Sequence, residues 1–278
     1  MKKIILFTDL DGTLLTAEKK ISPRTYHFLD AFTRAGNYLV LSSGRDINSI
    51  KNVKAELGLH FPHLFSIGYN GGQIYDCTKE KTIYKVALKK EQAVFIIETA
   101  LRMGIHCHTY SETHIISPRS LKELSYYKRA ITTPVLFADD FAGLAAAIGD
   151  NPGKCIAIHL EDQTRLEKLR DKILHTYDDV AAIFSSPVYL EFFPASSGKG
   201  VALIKLCEIL GIDVADSIAA GDQENDLSML KAAGYSIAMC NGTEALKKSA
   251  DAVTLFDNNH DGLAAELERL LESSISVR

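Results

Sequence analysis

Short apolar runs alternate with helical patterns along the first third of the chain. The pattern predicts strands at residues 3–8, 38–41 and 64–69, with helices at 23–35 and 46–57 between them. Ser22 stands where a helix cap is expected, Pro23 suits the first turn, and Gly36 follows the end of the first helix. This strand–helix order predicts a doubly wound α/β fold with a parallel sheet.

The same pattern returns near the end of the chain after a long interruption. Strands are predicted at residues 188–193 and 217–220, with a helix at 199–210 between them and a closing helix at 262–271. Between residues 82 and 187 strands and helices alternate without an acidic strand end. We therefore expect one α/β core made of residues 1–81 and 188–278, with residues 82–187 inserted as an α+β domain.

Composition argues against nucleic-acid-binding, secreted and membrane-spanning classes of protein. The 278 residues carry a net charge of −4 and a pI near 6.1, without a run of basic residues, so we expect no nucleic-acid partner. No apolar segment is long enough for a secretory signal or a membrane span, which predicts a soluble, cytoplasmic protein without a membrane partner. The five scattered cysteines form no Cys-x-x-Cys pair and are expected to be reduced and mostly buried.

The first predicted strand ends in two carboxylates, Asp9 and Asp11, followed by Gly12. An ordinary turn can use these residue types, because Asp binds backbone amides and Gly accepts positive φ. A calcium loop is excluded, since its twelfth position requires Glu and is occupied here by Lys20. Two acidic side chains at the carboxyl edge of a buried strand repel each other, and this favours a site that binds a cation or a phosphate.

Polar side chains also follow other predicted strands or begin predicted helices. Because the carboxyl ends of parallel strands share one edge of a sheet, these groups are expected to converge. Several carboxylates close together require compensation by a lysine and a divalent cation, and Mg²⁺ prefers such oxygen ligands. The predicted site contains Asp9, Asp11, Ser43, Gly44, Lys199, Asp222, Asn225 and Asp226.

Four motifs in this order resemble those of the haloacid dehalogenase-like hydrolases, in particular the Cof-type phosphatases with an inserted α/β cap. The resemblance covers the core segments at both ends of the chain. The motifs are Asp9-Leu10-Asp11-Gly12-Thr13, Ser43-Gly44-Arg45, Lys199-Gly200 and Gly221-Asp222-Gln223-Glu224-Asn225-Asp226.

This resemblance implies a magnesium-dependent phosphatase acting on small phosphorylated metabolites, with sugar phosphates favoured. Asp9 would form an aspartyl-phosphate, and Asp11 would act as general acid and base. Mg²⁺ would be held by Asp9, the Asp11 backbone carbonyl and Asp222, with Asp226 supporting the site. The phosphoryl oxygens would be held by Leu10, Ser43, Gly44, Lys199 and Asn225. The inserted cap would select the substrate, and we expect a monomer or a weak homo-oligomer.

Several alternatives remain open at this point. A phosphomutase would pass the phosphoryl group to a sugar hydroxyl, and a non-catalytic protein would only bind a phosphorylated metabolite. Arg45 is consistent with contact to the substrate or with a structural salt bridge. His106 and His108 share one face of a predicted strand, which we interpret as a partly exposed sheet face rather than a metal site. Lys128 and Arg129 are interpreted as a helix end.

A nucleotide-binding phosphate loop is excluded at Ser197-Gly198-Lys199-Gly200. That motif requires Gly at position 193 and Ser or Thr after the lysine, where this chain has Phe193 and Gly200.

Overall fold

The computed structural model describes residues 3–119, 122–127 and 133–275, with only the backbone for 273–275. The chain divides into two compact units. Unit 1 takes the chain up to Tyr84 and again from Gly198, and unit 2 comprises Lys85–Ser197. The helix end predicted at Lys128 and Arg129 lies outside the described residues.

The elements follow one another in three groups. The first group is β1 (Ile5–Asp9), α1 (Pro23–Arg34), β2 (Tyr38–Ser42), α2 (Ile47–Glu56), β3 (Leu64–Gly68), β4 (Gln73–Asp76) and β5 (Lys81–Lys85). The second group is α3 (Lys90–Arg102), β6 (His106–Tyr110), β7 (Ile115–Pro118), α4 (Lys122–Tyr127), β8 (Val135–Ala138), α5 (Phe141–Ala147), β9 (Cys155–Ile158), α6 (Gln163–Thr176), β10 (Val180–Ser186) and β11 (Tyr189–Pro194). The third group is α7 (Lys199–Leu210), β12 (Ser217–Gly221), α8 (Leu227–Ala232), β13 (Tyr235–Ala238), α9 (Glu244–Lys247), β14 (Ala252–Val253) and α10 (Gly262–Ile275).

Unit 1 is built on an eight-stranded sheet in the order β14-β13-β12-β1-β2-β3-β4-β5. The strands from β14 to β3 are parallel, and β3 and β4 form an antiparallel pair. Apolar side chains of β1 alternate between two cores. Leu6 packs into the core that contains Leu29 of α1, whereas Phe7 packs into the core that contains Leu203 of α7. Helices therefore cover both faces, and the predicted doubly wound fold is confirmed.

The cap predicted for the first helix is confirmed as well. The Ser22 side chain accepts a hydrogen bond from the Thr25 amide, and Pro23 occupies the first helical position. Asp46 caps α2 by accepting from the amide of Ser49.

Unit 2 is built on a separate six-stranded sheet in the order β10-β11-β9-β6-β7-β8. Its apolar core packs α3, α5 and α6 on one face, where Cys107 of β6 and Phe192 of β11 are fully buried. The opposite face mixes apolar and polar residues, with Ile156 and Ile158 of β9 beside His106 and His108 of β6.

One strand assignment made from the sequence is wrong. The apolar pattern at residues 188–193 predicts a strand of the core sheet, but β11 pairs antiparallel with β9 and β10 in unit 2. An apolar run specifies a buried strand without specifying its partner. Lys154 at the start of β9 adds a buried ion pair to Glu191 of β11, with 2.8 Å between Nζ and Oε2. The units accordingly change at residues 84/85 and 197/198, where the sequence pattern had placed boundaries at 81/82 and 187/188.

The interpretation of the histidine pair as partly exposed is also wrong, because His106 is 6% exposed and His108 is fully buried. Their rings are joined by a hydrogen bond of 3.2 Å between Nε2 of His106 and Nδ1 of His108. All five cysteines are free, and all but Cys240 are buried, which confirms that expectation. Among the described residues, no helix combines the length and apolarity that a membrane crossing requires.

Candidate active site

The carboxyl ends of three neighbouring strands carry the predicted site residues. Asp9 is the last residue of the central strand β1 and lies opposite Ser42 at the end of β2. Ser43 follows β2 directly, and Asp222 follows β12 directly. The parallel register therefore brings segments more than 200 residues apart in sequence to one edge of the sheet.

Lys199, the first residue of α7, connects two of the acidic groups. Its Nζ lies 2.6 Å from Oδ1 of Asp9 and 2.5 Å from Oδ1 of Asp226. The lysine and Asp226 side chains are completely buried. This lysine is therefore the compensating cation that the sequence analysis required.

Three carboxylates gather here. One oxygen from each of Asp9, Asp222 and Asp226 lies within 4.8 Å of the others, and all three residues are buried. Both oxygens of Asp226 have partners within the protein. Oδ1 contacts Lys199, and Oδ2 accepts hydrogen bonds from the amides of Asp222 (3.0 Å) and Gln223 (3.1 Å). Asp222 accepts from the hydroxyl of Thr13 at 3.1 Å and from the Gln223 side chain at 3.1 Å.

Burial dominates the protonation of this cluster. It raises the pKa of Asp9 to about 8, against the opposing effect of Lys199 and with added repulsion from Asp226 and Asp222. Burial also raises the pKa of Asp222. Burial alone would lower the pKa of Lys199, but the carboxylates of Asp226 and Asp9 outweigh it and raise that pKa. The cluster thus holds more negative charge than the one lysine compensates.

The donor set fits a hard divalent cation. Carboxylate oxygens are the ligands that such ions prefer, and the excess negative charge around Asp9 favours a positive ligand. Asp226 is the least available of the three, since its Oδ1 contacts Lys199 and its Oδ2 accepts from two backbone amides. Asp222 accepts one side-chain hydrogen bond at each oxygen, so Asp9 and Asp222 are better suited to hold the ion.

Asp11 has a different environment from Asp9. Arg45 binds its carboxylate through Nε and Nη2, and Lys19 contributes a further contact of 2.7 Å. Burial acts to raise the pKa of Asp11, but Arg45 and Lys19 together lower it. The two carboxyl groups of Asp9-Leu10-Asp11 therefore have different partners, and their pKa values are shifted in opposite directions.

The predicted phosphate-binding residues surround this edge of the sheet. Leu10 and Ser43 are buried next to the strand ends, and the Ser43 hydroxyl accepts from the amide of Arg45 at 3.2 Å. Gly44 lies directly after Ser43. Asn225 donates from Nδ2 to Oδ1 of Asn70 at 3.2 Å. Their binding roles stay predictions.

Four described residues contact the site although the predicted site did not include them: Arg45, whose role the sequence left open, Thr13, Asn70 and Lys19. Arg45 and Thr13 stand inside the quoted motifs, and Asn70 belongs to an Asn-Gly-Gly turn at a strand end, so each had a local signal. Lys19 had none, because it is one polar loop residue among several.

Comparison with known proteins identifies the family. The family model described as haloacid dehalogenase-like hydrolase matches residues 6–267. A 5-amino-6-(5-phospho-D-ribitylamino)uracil phosphatase of Bacillus subtilis is 30% identical and covers 95% of this chain and 96% of its own length. Phosphatase YwpJ of the same organism is 28% identical, covering 96% of this chain and 99% of its own.

Solved structures show the same similarity. A haloacid dehalogenase-like hydrolase from Bacteroides thetaiotaomicron superposes with a TM-score of 0.87 at 30% identity, covering 97% of this chain and 100% of its own. A protein of Thermotoga maritima superposes with a TM-score of 0.83 at 29% identity, covering 96% of this chain and 97% of its own.

Proposed function

The chain belongs to the haloacid dehalogenase-like hydrolase family, and on that premise we propose that it is a magnesium-dependent phosphatase of small phosphorylated metabolites. The observation that carries the proposal is the contact of Lys199 with Asp9 and Asp226 beside Asp222. A lysine and three carboxylates at the end of a buried strand are costly to fold. Their charges match a phosphoryl group and a divalent cation.

In the proposed reaction, a carboxylate oxygen of Asp9 attacks phosphorus, and the bond from phosphorus to the leaving oxygen breaks. Asp11 donates its proton to that oxygen. In the second half Asp11 removes a proton from water, the water oxygen bonds to phosphorus, and Asp9 is released. Because Arg45 and Lys19 lower the pKa of Asp11, their contacts must loosen for Asp11 to carry a proton.

Mg²⁺ bound by Asp9, Asp222 and the Asp11 backbone carbonyl would supply positive charge to the carboxylates and to the phosphoryl oxygens. Lys199 binds a further phosphoryl oxygen, and Asp226 keeps the ammonium group in place. Leu10, Ser43, Gly44 and Asn225 provide the remaining hydrogen-bond donors. These donors are fixed before the substrate arrives, which is what makes such a site effective.

For the substrate we propose a sugar phosphate or polyol phosphate. The Bacillus subtilis relative at 30% identity is named for a substrate that carries a phosphorylated ribityl chain. We further propose that unit 2 selects the leaving group. Replacing residues 85–197 with the corresponding unit of a relative of different selectivity should transfer that selectivity, and unchanged selectivity would reject this part of the proposal.

The decisive experiment measures release of inorganic phosphate from a panel of phosphorylated sugars, polyols and nucleotides, with Mg²⁺ and with a chelator. We expect Mg²⁺-dependent release, background activity for Asp9→Asn, and a loss of about 100-fold to 10,000-fold for Asp11→Asn. The matched control is Asp171→Asn, an exposed aspartate of α6 that should keep full activity.

Activity that persists both in chelator and in Asp9→Asn would reject the proposal. Isomerised sugar phosphate in place of free phosphate would assign a phosphomutase instead. Tight metabolite binding without turnover would assign a binding protein.

A further inference from the structure

A strained turn stands beside the site. Tyr69, Asn70 and Gly71 have φ values of 54°, 53° and 104°, so three consecutive residues adopt the left-handed region. Each non-glycine residue there costs about 1–2 kcal/mol, and such strain persists only where the surroundings enforce it. Asn is among the residues that tolerate this conformation best, whereas Tyr is not.

The backbone of this turn is joined to the segment that follows β2. The amide of Tyr69 donates to the carbonyl of Arg45 at 2.9 Å, and the amide of Asn70 donates to the carbonyl of Ser43 at 3.2 Å. The next residue, Gly71, packs against the backbone of Gly198. A Cβ at position 71 would lie 2.2 Å from the carbonyl oxygen of Gly198, which immediately precedes Lys199.

The side chain of Asn70 also contacts the segments around the site. Asn70 is 5% exposed, and its Oδ1 accepts the hydrogen bond from Nδ2 of Asn225. The same Oδ1 lies so close to Gly44 that a Cβ there would approach it to 3.0 Å. One side chain thus contacts two of the segments proposed to bind the phosphoryl group.

We infer that Asn70 is a positioning residue, which orients the amide of Asn225 toward the phosphoryl group through the Oδ1 contact. A primary amide is free to rotate, and half of its rotamers would present oxygen where a donor is needed. The bond to Asn70 fixes the nitrogen end of Asn225, and the left-handed turn fixes Asn70. This inference rests on the proposed function only in naming a phosphoryl group as the ligand.

The test is a double-mutant cycle of Asn70→Gly and Asn225→Ala, read as the Kd of inorganic phosphate by calorimetry in saturating Mg²⁺. Glycine accepts the left-handed conformation, so Asn70→Gly removes the side chain and leaves the turn. The matched control is Glu80→Gly, an exposed residue with φ 52° in the loop between β4 and β5. Asn70→Asp serves as a second variant that retains the accepting oxygen.

We expect Asn70→Gly to raise the phosphate Kd about 3-fold to 10-fold, the value of one hydrogen bond, and to have no further effect when Asn225 is already Ala. Asn225→Ala should keep its own effect in the Asn70→Asp background. Glu80→Gly should leave the Kd unchanged.

The inference would be overturned if Asn70→Gly weakened phosphate binding equally with and without the Asn225 side chain. It would also be overturned if Asn70→Gly alone left the phosphate Kd unchanged. If the wild type binds phosphate with the expected coupling but hydrolyses no phosphomonoester, the proposed function fails and the positioning role stands.

Discussion

The guanidinium of Arg45 donates three hydrogen bonds to the carboxylate of Asp11, from Nε to Oδ2 at 3.0 Å and from Nη2 to both oxygens at 2.9 Å. Lys19 contacts the same carboxylate at 2.7 Å. The two cations differ in burial, since the side chain of Arg45 is 20% exposed and that of Lys19 is 59% exposed. A planar, two-pronged contact fixes the orientation of a carboxylate, whereas an exposed lysine does not.

Arg45→Met should therefore lower kcat/KM by about 10-fold or more, because the Asp11 carboxylate then loses its fixed orientation in the half-reaction in which it takes a proton from water. Lys19→Met is the matched variant, because Lys19 contacts the same carboxylate. It should change kcat/KM by less than about 3-fold, since exposed ion pairs contribute little. Steady-state kinetics with one phosphomonoester substrate measures both. Equal losses in the two variants would contradict the distinction.

Lys199 compensates two buried carboxylates, since the side chain of Asp226 is fully buried and that of Asp9 is 10% exposed. Replacing it with Met should lower the free energy of unfolding by about 3–5 kcal/mol in chelator, because Asp9 and Asp226 are then left buried without their cation. Lys205→Met removes an exposed partner of Glu208 on the same helix and should cost less than about 1 kcal/mol. Urea unfolding in chelator provides the measurement.

A second substitution makes this prediction sharper. Asp226→Asn should recover part of the loss when combined with Lys199→Met, because it removes one of the uncompensated charges. A double variant less stable than Lys199→Met alone would show that charge compensation is not the role of the lysine.

Gly12 and Gly36 have almost the same backbone conformation in different surroundings. Their φ values are 86° and 89°, but a Cβ on Gly12 would lie 2.4 Å from Oδ2 of Asp222, and a Cβ on Gly36 would meet nothing within 4 Å. Each substitution by Ala should cost about 1–2 kcal/mol of stability through the left-handed φ. Only Gly12→Ala should also displace Asp222 and weaken Mg²⁺ binding, by about 10-fold to 100-fold.

Thermal unfolding and a Mg²⁺ titration of activity separate these two effects. Gly36→Ala serves as the control for strain alone. The prediction is wrong if both variants lose Mg²⁺ affinity to the same degree.

The buried histidine pair should make unit 2 sensitive to acid. Burial lowers the pKa of His106 to about 4. Burial also lowers the pKa of His108 well below its ordinary value, with added repulsion from His106 and Lys154. In the unfolded chain His106 takes up a proton near pH 6.5, whereas in the folded chain it remains neutral until about pH 4. Stability is therefore complete above pH 6.5 and is lost as the pH falls toward 4, by roughly 3 kcal/mol for His106.

His106→Gln should flatten this dependence by removing one of the two titrating rings. Calorimetric unfolding between pH 7 and pH 4.5 provides the comparison, with the slope of the wild type as reference. Parallel slopes for variant and wild type would show that His106 does not titrate on unfolding.

Local signals account for what the sequence predicted correctly. The Asp9-x-Asp11 pair after an apolar strand, the cap at Ser22 and the glycine-containing turns each depend on a few adjacent residues. The convergence of Asp222 on Asp9 followed from one rule, that parallel strands end on one edge of the sheet. Lys199 also reaches Asp9, but from the start of α7, because the strand before it belongs to unit 2.

Contacts between distant residues account for what the sequence missed. The strand β11 has the apolar pattern of a core strand, and its membership of unit 2 depends on the edges of β9 and β10. The burial of His106 and His108 depends on what packs over one face of that second sheet. Alternation within a strand defines two faces but does not state which of them is covered.

The sequence by itself thus determined the fold class, the identity of the reactive groups and the edge at which they meet, because hydrophobic period, helix caps and turn residues act over a few positions. Only the tertiary structure decided which cation holds Asp11, that Asn70 contacts Asn225, and where β11 pairs. These contacts form between residues far apart in sequence, and their free energies relative to alternative pairings decide which of them occur. The sequence does not reveal the outcome, because many positions carry residue types that could make the same contacts.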